Sequence, residues 1–309
     1  MEFEQLLKLY TAMLTTRLFD SKAINLQRTG KLGTYPSCLW HEAIGVAIGA
    51  SMEREDIFCP YYRDLGTMLW RGVLMEEILA YWGGYKSGNS FKNNKHDFPF
   101  CVPIASQTLH AVGAAFALKY KQKKQVVVTT IGDGGTSRGD FYEALNLAGL
   151  WNLPIVFVII NNKWAISTPL SAQTKIDNLA QKGMAAGVLG EQIDGNDILK
   201  LIDRLKIAIN KAKLNYEPYI IEAVTYRMGD HTTADDASRY RSIQEKQQYL
   251  ATDPLLRFKK LLEQQYNFSE ADNLKIIKEI QTLIDQAVNN YLNLPEEDPN
   301  SMFEHLYGC

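Results

Sequence analysis

Three short apolar runs in the middle of the chain have the pattern of buried strands. Residues 126–131, 154–160 and 219–226 are rich in β-branched and aromatic side chains and are apolar along most of their length, as strands covered on both faces are. Apolar side chains recur at steps of three and four in residues 138–150 and 197–213, which is the period of a helix. A strand, a helix and a strand within 35 residues indicate a right-handed βαβ unit of a parallel sheet. We therefore predict an α/β fold built on a doubly wound, mostly parallel sheet.

The two ends of the chain are predicted to be helical. Apolar residues of the segment 2–28 recur at steps of three and four, and Gly30 and Gly33 then end the helix. From Ser238 onward the pattern is helical and charged, which predicts a helical C-terminal extension. Residues 85–103 are rich in Gly, Asn, Lys and Pro and predict a long loop, and loops of this length are often functional.

Composition and charge exclude several classes of partner. The net charge of −2 and the pI of about 6.2 argue against nucleic acid or an anionic membrane as a partner. The longest apolar run has 8 residues, far short of the ~20 that span a bilayer, and the acidic N-terminus does not resemble a signal peptide. The cysteines are far apart and form no C-x-x-C pair, which is typical of a reducing compartment: Cys38, Cys59, Cys101 and Cys309. We therefore expect a soluble, cytoplasmic protein.

The segment 126–141 places Gly-Asp-Gly-Gly directly after the first predicted strand. A hairpin turn is the usual structure of Asp-Gly between apolar runs, but the segment that follows has the helical period. A nucleophile elbow would use Ser137, in the G-x-S-x-G pattern of residues 135–139, as the nucleophile of a serine hydrolase. Because Asp133 holds the turn and Ser137 comes six residues after the strand, the hydrolase is a distant alternative.

A site for a metal and a phosphate group is the third possibility. Parallel sheets bind ligands at the carboxyl ends of their strands, and a helix that starts near Ser137 directs free N–H groups there. Asp133 offers a hard oxygen ligand for Mg²⁺. The next strand ends at Asn161 and Asn162, with 26 residues between Gly134 and Asn161. Two polar motifs at the ends of sequential strands favour this interpretation.

The residues around these motifs carry a family resemblance. GDG, a spacer of this length and NN make up the thiamine-diphosphate signature. The stretch "GDGGTSRGDFYEALNLAGLWNLPIVFVIINNKWAISTP" closely resembles the alpha subunit of the decarboxylating component of 2-oxo acid dehydrogenase complexes, with the bacterial pyruvate dehydrogenase branch nearest. "PYYRDLG" and "TYRMGDHTTADDASRYR" extend the resemblance over most of the chain. It implies a single thiamine-diphosphate-binding α/β domain over residues 1–309, with an active-site loop at 229–241 and a helical extension at 242–309.

The resemblance also implies a metal site. Asp133, the side chain of Asn162 and the backbone carbonyl of Trp164 would bind Mg²⁺. The indole of Trp164 remains free to pack in the core, because only its carbonyl is used.

Further positions match residues that hold the organic cofactor in the family. Tyr62 and Arg63 would hold the diphosphate, and Gly134 and Gly135 would donate backbone N–H bonds to it. The backbone of Ile104 would meet the aminopyrimidine, although an isolated isoleucine is usually a core residue.

The loop 229–241 would contribute a catalytic residue. His231 matches a family histidine that reaches the diphosphate. We expect the loop to order on cofactor binding, because its opposite charges can pair only when it is folded: Asp235, Asp236, Arg239 and Arg241.

One stretch departs from the family pattern. Relatives generally read G-Q-E-A where this chain has Trp40, His41, Glu42 and Ala43. In the family this stretch lies near the entrance to the substrate site, so the departure bears on which 2-oxo acid is used.

The implied reaction is oxidative decarboxylation of pyruvate, with reductive acetylation of a lipoyl group on a dihydrolipoamide acyltransferase. The glutamate that activates the aminopyrimidine belongs to the beta subunit in this family, and no counterpart is evident in this chain. The resemblance therefore implies a heterotetramer of two alpha and two beta subunits, active only when both are present. Branched-chain 2-oxo acid and acetoin dehydrogenases are alternatives within the same class.

Overall fold

The computed structural model describes residues 1–303, so Cys309 and the last residues of the predicted extension lie outside the described residues. A five-stranded parallel sheet forms the centre, with the strands side by side in the order β1-β2-β3-β7-β6. A two-stranded antiparallel hairpin, β4 and β5, lies beyond the end of β3. The strands are β1 (Ile57–Cys59), β2 (Val127–Gly132), β3 (Ile155–Asn161), β4 (Trp164–Ala165), β5 (Thr168–Pro169), β6 (Leu189–Asp194) and β7 (Tyr219–Val224).

The three predicted strands are the three adjacent central strands of this sheet. Their positions are confirmed, although β2 and β3 each begin one residue later than predicted and β7 ends two residues earlier. In β2 and β3 nearly every residue is buried, because helices cover both faces. The predicted parallel, doubly wound architecture is therefore confirmed.

Helices cover the sheet on both sides and follow the predicted periods. Residues 2–28, 138–150 and 197–213 each contain a helix, within one or two residues of the predicted limits. The helices are α1 (Phe3–Arg28), α2 (Glu42–Ser51), α3 (Leu65–Trp70), α4 (Met75–Trp82), α5 (Ser106–Tyr120), α6 (Gly139–Leu150), α7 (Leu170–Gln173), α8 (Ile198–Asn215), α9 (Ile243–Tyr249), α10 (Pro254–Tyr266) and α11 (Glu270–Leu292).

The alternation of side chains along each strand divides the interior into two cores. Val128, Val156 and Val158 point to the face covered by α1, α2 and α8. Val127 and Phe157 point to the opposite face, against α5 and α6. Because successive side chains of a strand point to opposite faces, each apolar run supplies both cores at once.

The segment 85–103 is largely irregular, as predicted, apart from a short 3₁₀ turn at Lys86–Asn89. Asp97 fixes it to the edge of the sheet by accepting from the backbone N–H of Phe58 and from the guanidinium of Arg71. The segment then pairs at Cys101 with Tyr61, just after β1, and leads into α5. It therefore ends at the carboxyl edge of the sheet.

The C-terminal helices pack against α1. Asp253, at the start of α10, accepts two hydrogen bonds from Arg17, and Tyr10 donates to Asn273 of α11. Treating residues 242–309 as an extension of one domain stays a prediction.

Among residues 1–303, no helix is both long enough and apolar enough to cross a bilayer.

Candidate active site

All nine sequence-predicted site residues line one cavity of about 210 Å³. The cavity lies at the carboxyl edge of the sheet, where segments that follow β1, β2, β3 and β7 converge. It is lined by Tyr62, Arg63, Ile104, Asp133, Gly134, Gly135, Asn162, Trp164 and His231, and also by Tyr61, Cys101, Ala105, Gln107, Ile131, Gly132, Ala165 and Ile166.

Asp133 places a carboxylate in the turn directly after β2. Its side chain is 2% exposed and accepts from Nε2 of Gln173 at 2.9 Å and from the backbone N–H of Asn162 at 3.3 Å. Among the described residues no cationic side chain forms an ion pair with it. Burial therefore raises the pKa of this carboxyl, and a bound cation would stabilise its charged form.

Arg63 is a buried cation without a carboxylate partner in the described part of the chain. It is 3% exposed, and its Nη atoms donate to the backbone carbonyls of Ser37 and His231. Its Nε atom is buried and has no partner. A buried guanidinium is costly unless an anion or enough acceptors compensate it, so the residues present fit an anionic group here.

His231 faces two guanidinium groups. Its Nδ1 atom lies 3.4 Å from Nη2 of Arg63 and 3.4 Å from Nη1 of Arg227. Burial and then these two cations lower the pKa of His231 to about 3. In the neutral ring Nδ1 accepts from the guanidinium groups, which leaves the proton on Nε2, where it is available to donate to a ligand.

Asn162 and Trp164 follow β3 and lie beside Asp133. The backbone N–H of Trp164 donates to Oδ1 of Asn162 at 3.3 Å, and the Trp164 carbonyl accepts from Arg227 at 3.1 Å. The second lone pair of that carbonyl remains available for a cation. The Trp164 indole donates to Glu245 at 2.9 Å, so its side chain does pack in the interior, as expected.

The predicted ligand set combines one carboxylate, one amide oxygen and one backbone carbonyl. No cluster of three or more His, Cys, Asp or Glu side chains that could hold a metal occurs in the described part of the chain. An all-oxygen set with a single carboxylate suits Mg²⁺, which keeps waters and ligand phosphates for its remaining positions.

Two glycines after β2 are required by the protein itself. A Cβ atom at Gly134 would lie 2.4 Å from Cβ of Ala165, and one at Gly135 would lie 2.6 Å from Cγ1 of Ile131. Ile104, in contrast to an ordinary core isoleucine, is 44% exposed at the cavity. Its neighbour Ala105 has a φ of 73°, and non-glycine residues in this conformation cluster at functional sites.

The 229–241 loop is held differently from the prediction. Arg241 donates to three backbone carbonyls, of residues 227, 228 and 229, and not to the aspartates of the loop. Asp235 accepts from Tyr240 and from the backbone N–H of His231. Among the described residues the four side chains expected to pair, Asp235, Asp236, Arg239 and Arg241, form no ion pair with one another, and the ordering of the loop by cofactor stays a prediction.

Comparison with known proteins bears on the same residues. The amino-acid sequence matches the dehydrogenase E1 component family over residues 10–300. The chain belongs to this family. It is 38% identical over 305 residues to the pyruvate dehydrogenase E1 component subunit alpha of Staphylococcus aureus (strain Mu50), covering 98% of this chain and 82% of that protein. It is also 38% identical over 305 residues to the 3-methyl-2-oxobutanoate dehydrogenase subunit alpha of Mycobacterium tuberculosis (strain H37Rv), covering 99% and 83%.

These matches identify the chain as an E1 alpha subunit of a 2-oxo acid dehydrogenase. The family resemblance predicted from the sequence is thereby confirmed, and the E1 family implies thiamine diphosphate as the cofactor.

The departure at Trp40 and His41 lies behind the cavity, and its bearing on the choice of 2-oxo acid stays a prediction. Both residues are buried, and neither is among the residues that line the cavity. Trp40 has a φ of 71°, a conformation that favours glycine, and its indole donates to Asp253 at 3.2 Å. His41 lies behind Asn162, with its Nε2 atom 3.2 Å from the Asn162 amide nitrogen.

The alternative interpretations of the Gly-Asp-Gly-Gly turn do not fit the E1 structure. The turn leads through a 3₁₀ segment into α6, so there is no hairpin. Ser137 is exposed and does not line the cavity, and within residues 1–303 no histidine is hydrogen-bonded to it. The geometry therefore gives no support to a serine hydrolase.

Arg227 and Gln173 are functional candidates that the sequence did not single out. Arg227 donates to the carbonyls of Trp164 and Ile166 and to Tyr240, and so joins the predicted metal-binding segment to the 229–241 loop. An arginine just after a buried strand was the available signal. Gln173 reaches Asp133 from forty residues away, and nothing in its local sequence indicates this contact.

The lowered pKa of His231 predicts a pH dependence of stability in the cofactor-free protein. The unfolded state takes up a proton below about pH 6.5, whereas the folded state does so only near pH 3. The contribution of neutral His231 to the unfolding free energy is therefore complete above pH 6.5 and is lost as the pH falls towards 3. Between pH 6 and 4, the unfolding free energy of wild type should fall faster than that of His231→Gln, by up to about 1.4 kcal/mol per pH unit.

Urea unfolding at several pH values measures this difference. His110→Gln, at an exposed histidine outside the cavity, is the matched control and should have the wild-type slope. Equal slopes for wild type and His231→Gln would show that His231 is not held neutral.

Proposed function

We propose that this chain is the alpha subunit of a pyruvate dehydrogenase that binds Mg²⁺ and the diphosphate half of thiamine diphosphate. The observation that carries the proposal is the presence in one cavity of a buried carboxylate, Asp133, and a buried guanidinium, Arg63, which do not pair with each other. A cation bound to the Asp133 carboxylate and a polyanion bound to the Arg63 guanidinium would compensate both buried charges. Magnesium diphosphate supplies the two together.

The cation would be held by three oxygen atoms of this chain. These are a carboxylate oxygen of Asp133, Oδ1 of Asn162 and the carbonyl of Trp164. Gln173 and the backbone N–H of Asn162 orient the Asp133 carboxylate, and Arg227 orients the Trp164 carbonyl. Such support fixes the positions of metal ligands before the metal arrives.

The diphosphate would be held by the opposite side of the cavity. Arg63 offers its unpartnered Nε, His231 offers the proton on Nε2, and Gly134 and Gly135 offer backbone N–H groups. Tyr62 packs beside the Arg63 guanidinium, with the ring centroid 5.3 Å from it. When bound, thiamine diphosphate supplies the electron sink for loss of CO₂ from a 2-oxo acid.

A beta subunit would complete the site. Asp133 is the one carboxylate among the described residues that line the cavity, so none remains to activate the aminopyrimidine. The cavity of about 210 Å³ is smaller than the range of roughly 300–1,000 Å³ usual for sites that enclose a whole ligand. Part of the cofactor would therefore extend beyond this chain, past the exposed Ile104.

An apolar surface on the outer face of α5, whose N-terminal end lines the cavity, supports a protein partner. On α5, which begins two residues after Ile104, no charged residue occurs before Lys119, and the outer face exposes Phe116 and Tyr120. Trp151 continues this apolar surface, with its ring 5.0 Å from that of Phe116. Exposed apolar surface of this kind marks protein interaction sites. We assign it to the beta subunit of a heterotetramer with two alpha and two beta chains.

The proposed assembly acts on pyruvate and transfers the acetyl group to the lipoyl domain of a dihydrolipoamide acyltransferase. The Staphylococcus aureus relative, named for pyruvate, supports this substrate. The Mycobacterium tuberculosis relative has the same identity and is named for 3-methyl-2-oxobutanoate, which makes a branched-chain 2-oxo acid the second candidate. Acetoin is a further alternative within the same class.

Replacing either side-chain metal ligand tests the proposed site directly. Asp133→Ala and Asn162→Ala should each weaken Mg²⁺-dependent cofactor binding by more than about 100-fold, because a direct ligand contributes more than the 10–100-fold typical of an outer partner. Calorimetry with thiamine diphosphate and Mg²⁺ on the alpha–beta complex measures this. Ser137→Ala is the control and should bind as wild type, and unchanged affinity in both ligand variants contradicts the metal assignment.

The requirement for a beta subunit is tested by comparing the isolated chain with the co-expressed pair. The isolated chain should not turn over any 2-oxo acid, because no carboxylate in its cavity is free to activate the ring. With a dye as electron acceptor, the pair should oxidise pyruvate faster than 3-methyl-2-oxobutanoate or acetoin. Turnover by the isolated chain would contradict an active site shared between two subunits. A preference for another substrate would contradict only the assignment of pyruvate.

The position next to His231 offers a test of the loop. A glutamate at Thr232 would bring negative charge towards the diphosphate, and like charges about 4 Å apart cost roughly 1–4 kcal/mol for dielectrics between water and a protein surface. Thr232→Glu should therefore lose most activity with lipoyl-domain substrate, whereas Thr232→Ser should stay near wild type. Bound cofactor and Mg²⁺ should also protect residues 229–241 from limited proteolysis. Full activity of Thr232→Glu, or a loop that is cut equally with and without cofactor, would show that His231 is not part of the cofactor site.

A further inference from the structure

His41 lies behind the cavity, in contact with the asparagine that the proposed function assigns to the metal. Its ring is buried, and Nε2 is 3.2 Å from Nδ2 of Asn162. The other ring nitrogen, Nδ1, lies 3.2 Å from the carbonyl of Leu39 and 3.3 Å from the carbonyl of Cys38. Carbonyl oxygens only accept hydrogen bonds, so Nδ1 carries a proton.

The Asn162 amide is also held at its other end. The backbone N–H of Trp164 lies 3.3 Å from Oδ1 of Asn162, and a backbone N–H only donates. If the amide were turned over, its NH₂ group would face this N–H, and two donors would meet. Oδ1 therefore faces Trp164, and Nδ2 faces His41. The nitrogen that faces an NH₂ group must accept, so Nε2 of His41 carries a lone pair and not a proton.

We propose that His41 is a positioning residue for the metal site: by accepting from Nδ2 of Asn162, it keeps Oδ1 on the side where a cation can bind it. This inference rests on the proposed function, because it takes Asn162 as a metal ligand. The two ends of an amide are nearly identical in shape but opposite in hydrogen-bonding character. Mg²⁺ binds oxygen, so a turned amide would present donors to a cation and lose the ligand.

Local structure determines the tautomer of His41, and the tautomer then selects the amide orientation. His41 immediately precedes α2, and its backbone N–H donates to the Cys38 carbonyl at 2.8 Å. This turn brings the carbonyls of residues 38 and 39 close to Nδ1. A feature at residues 38–41 thus controls which atom Asn162 presents, although the two segments are 121 residues apart in sequence.

Two substitutions test the hydrogen-bond acceptor of His41 independently of the volume of its side chain. His41→Leu removes the acceptor and keeps an apolar side chain in the buried space, whereas His41→Gln retains an oxygen that can accept from Asn162. Calorimetric titration of Mg²⁺ into the alpha–beta complex with thiamine diphosphate should show about 10- to 100-fold weaker binding for His41→Leu, the usual cost of losing an outer partner of a ligand. His41→Gln should bind Mg²⁺ close to wild type.

Asn162→Ala distinguishes failure of this inference from failure of the proposed function. If Asn162→Ala binds Mg²⁺ as wild type does, Asn162 is not a ligand, and its part of the metal assignment fails together with the inference. If Asn162→Ala is weakened while His41→Leu binds normally, the proposed function stands and the role of His41 is overturned. His41→Met takes the place of His41→Leu if thermal unfolding shows that the leucine variant does not fold.

A double-mutant cycle tests orientation as opposed to packing. In Asn162→Asp both ends of the side chain are oxygen atoms, so no partner is needed to orient it. His41→Leu should therefore weaken Mg²⁺ binding much less in the Asn162→Asp background than in wild type. An equal loss in both backgrounds would show that His41 acts only by filling space, which overturns the proposal.

Discussion

Two buried charges of opposite sign share a cavity in this molecule and do not neutralise each other. Asp133 is held by amide groups, and Arg63 by backbone carbonyls. Direct pairing would satisfy both side chains and would leave neither for a ligand. Keeping them apart costs folding free energy, because each charge is removed from water without a counterion. The surrounding hydrogen bonds reduce this cost without abolishing it, as expected for a site that a charged ligand completes.

The parallel sheet is what brings these charges together. All five strands run the same way, so every segment that leaves a carboxyl end emerges at the same edge. Helices on both faces bury the three central strands almost completely, and this close packing fixes the positions where the segments that follow them begin. Polar groups from four distant parts of the chain can then be placed within hydrogen-bonding distance of one another. The C-terminal region supports the arrangement, since Glu245 of α9 accepts from both Trp164 and Tyr226.

Much of this architecture was predictable because the strongest signals are local. The central strands are apolar runs, and the helices have clear periods. Strands β1 and β6 escaped prediction for physical reasons: β1 has only three residues, and β6 is an edge strand with largely exposed side chains, so it has no apolar run.

The site, like the fold, was predictable where the signal is local and unpredictable where it depends on long-range contacts. The nine residues named from the family motifs do line one cavity, while their roles stay predictions. Contacts that depend on how loops fold were out of reach, as with Gln173 and Asp133. The charged side chains of the loop were predicted to pair only because their charges are opposite. Arg241 instead donates to three backbone carbonyls. Every residue has a carbonyl, so the sequence does not indicate which ones are buried near an arginine.

The backbone at Trp40 has a consequence for how this chain could diverge from its relatives. A left-handed conformation is unfavourable for a tryptophan by roughly 1–2 kcal/mol, and glycine would relieve it. Yet the buried indole packs with Trp164, Tyr226 and Met228 and donates to Asp253. Glycine at position 40 would relax the backbone but leave a void in this aromatic cluster and remove a donor from Asp253. The effect of glycine at position 40 therefore depends on the neighbouring residues, because only larger side chains there could fill the void that the indole leaves.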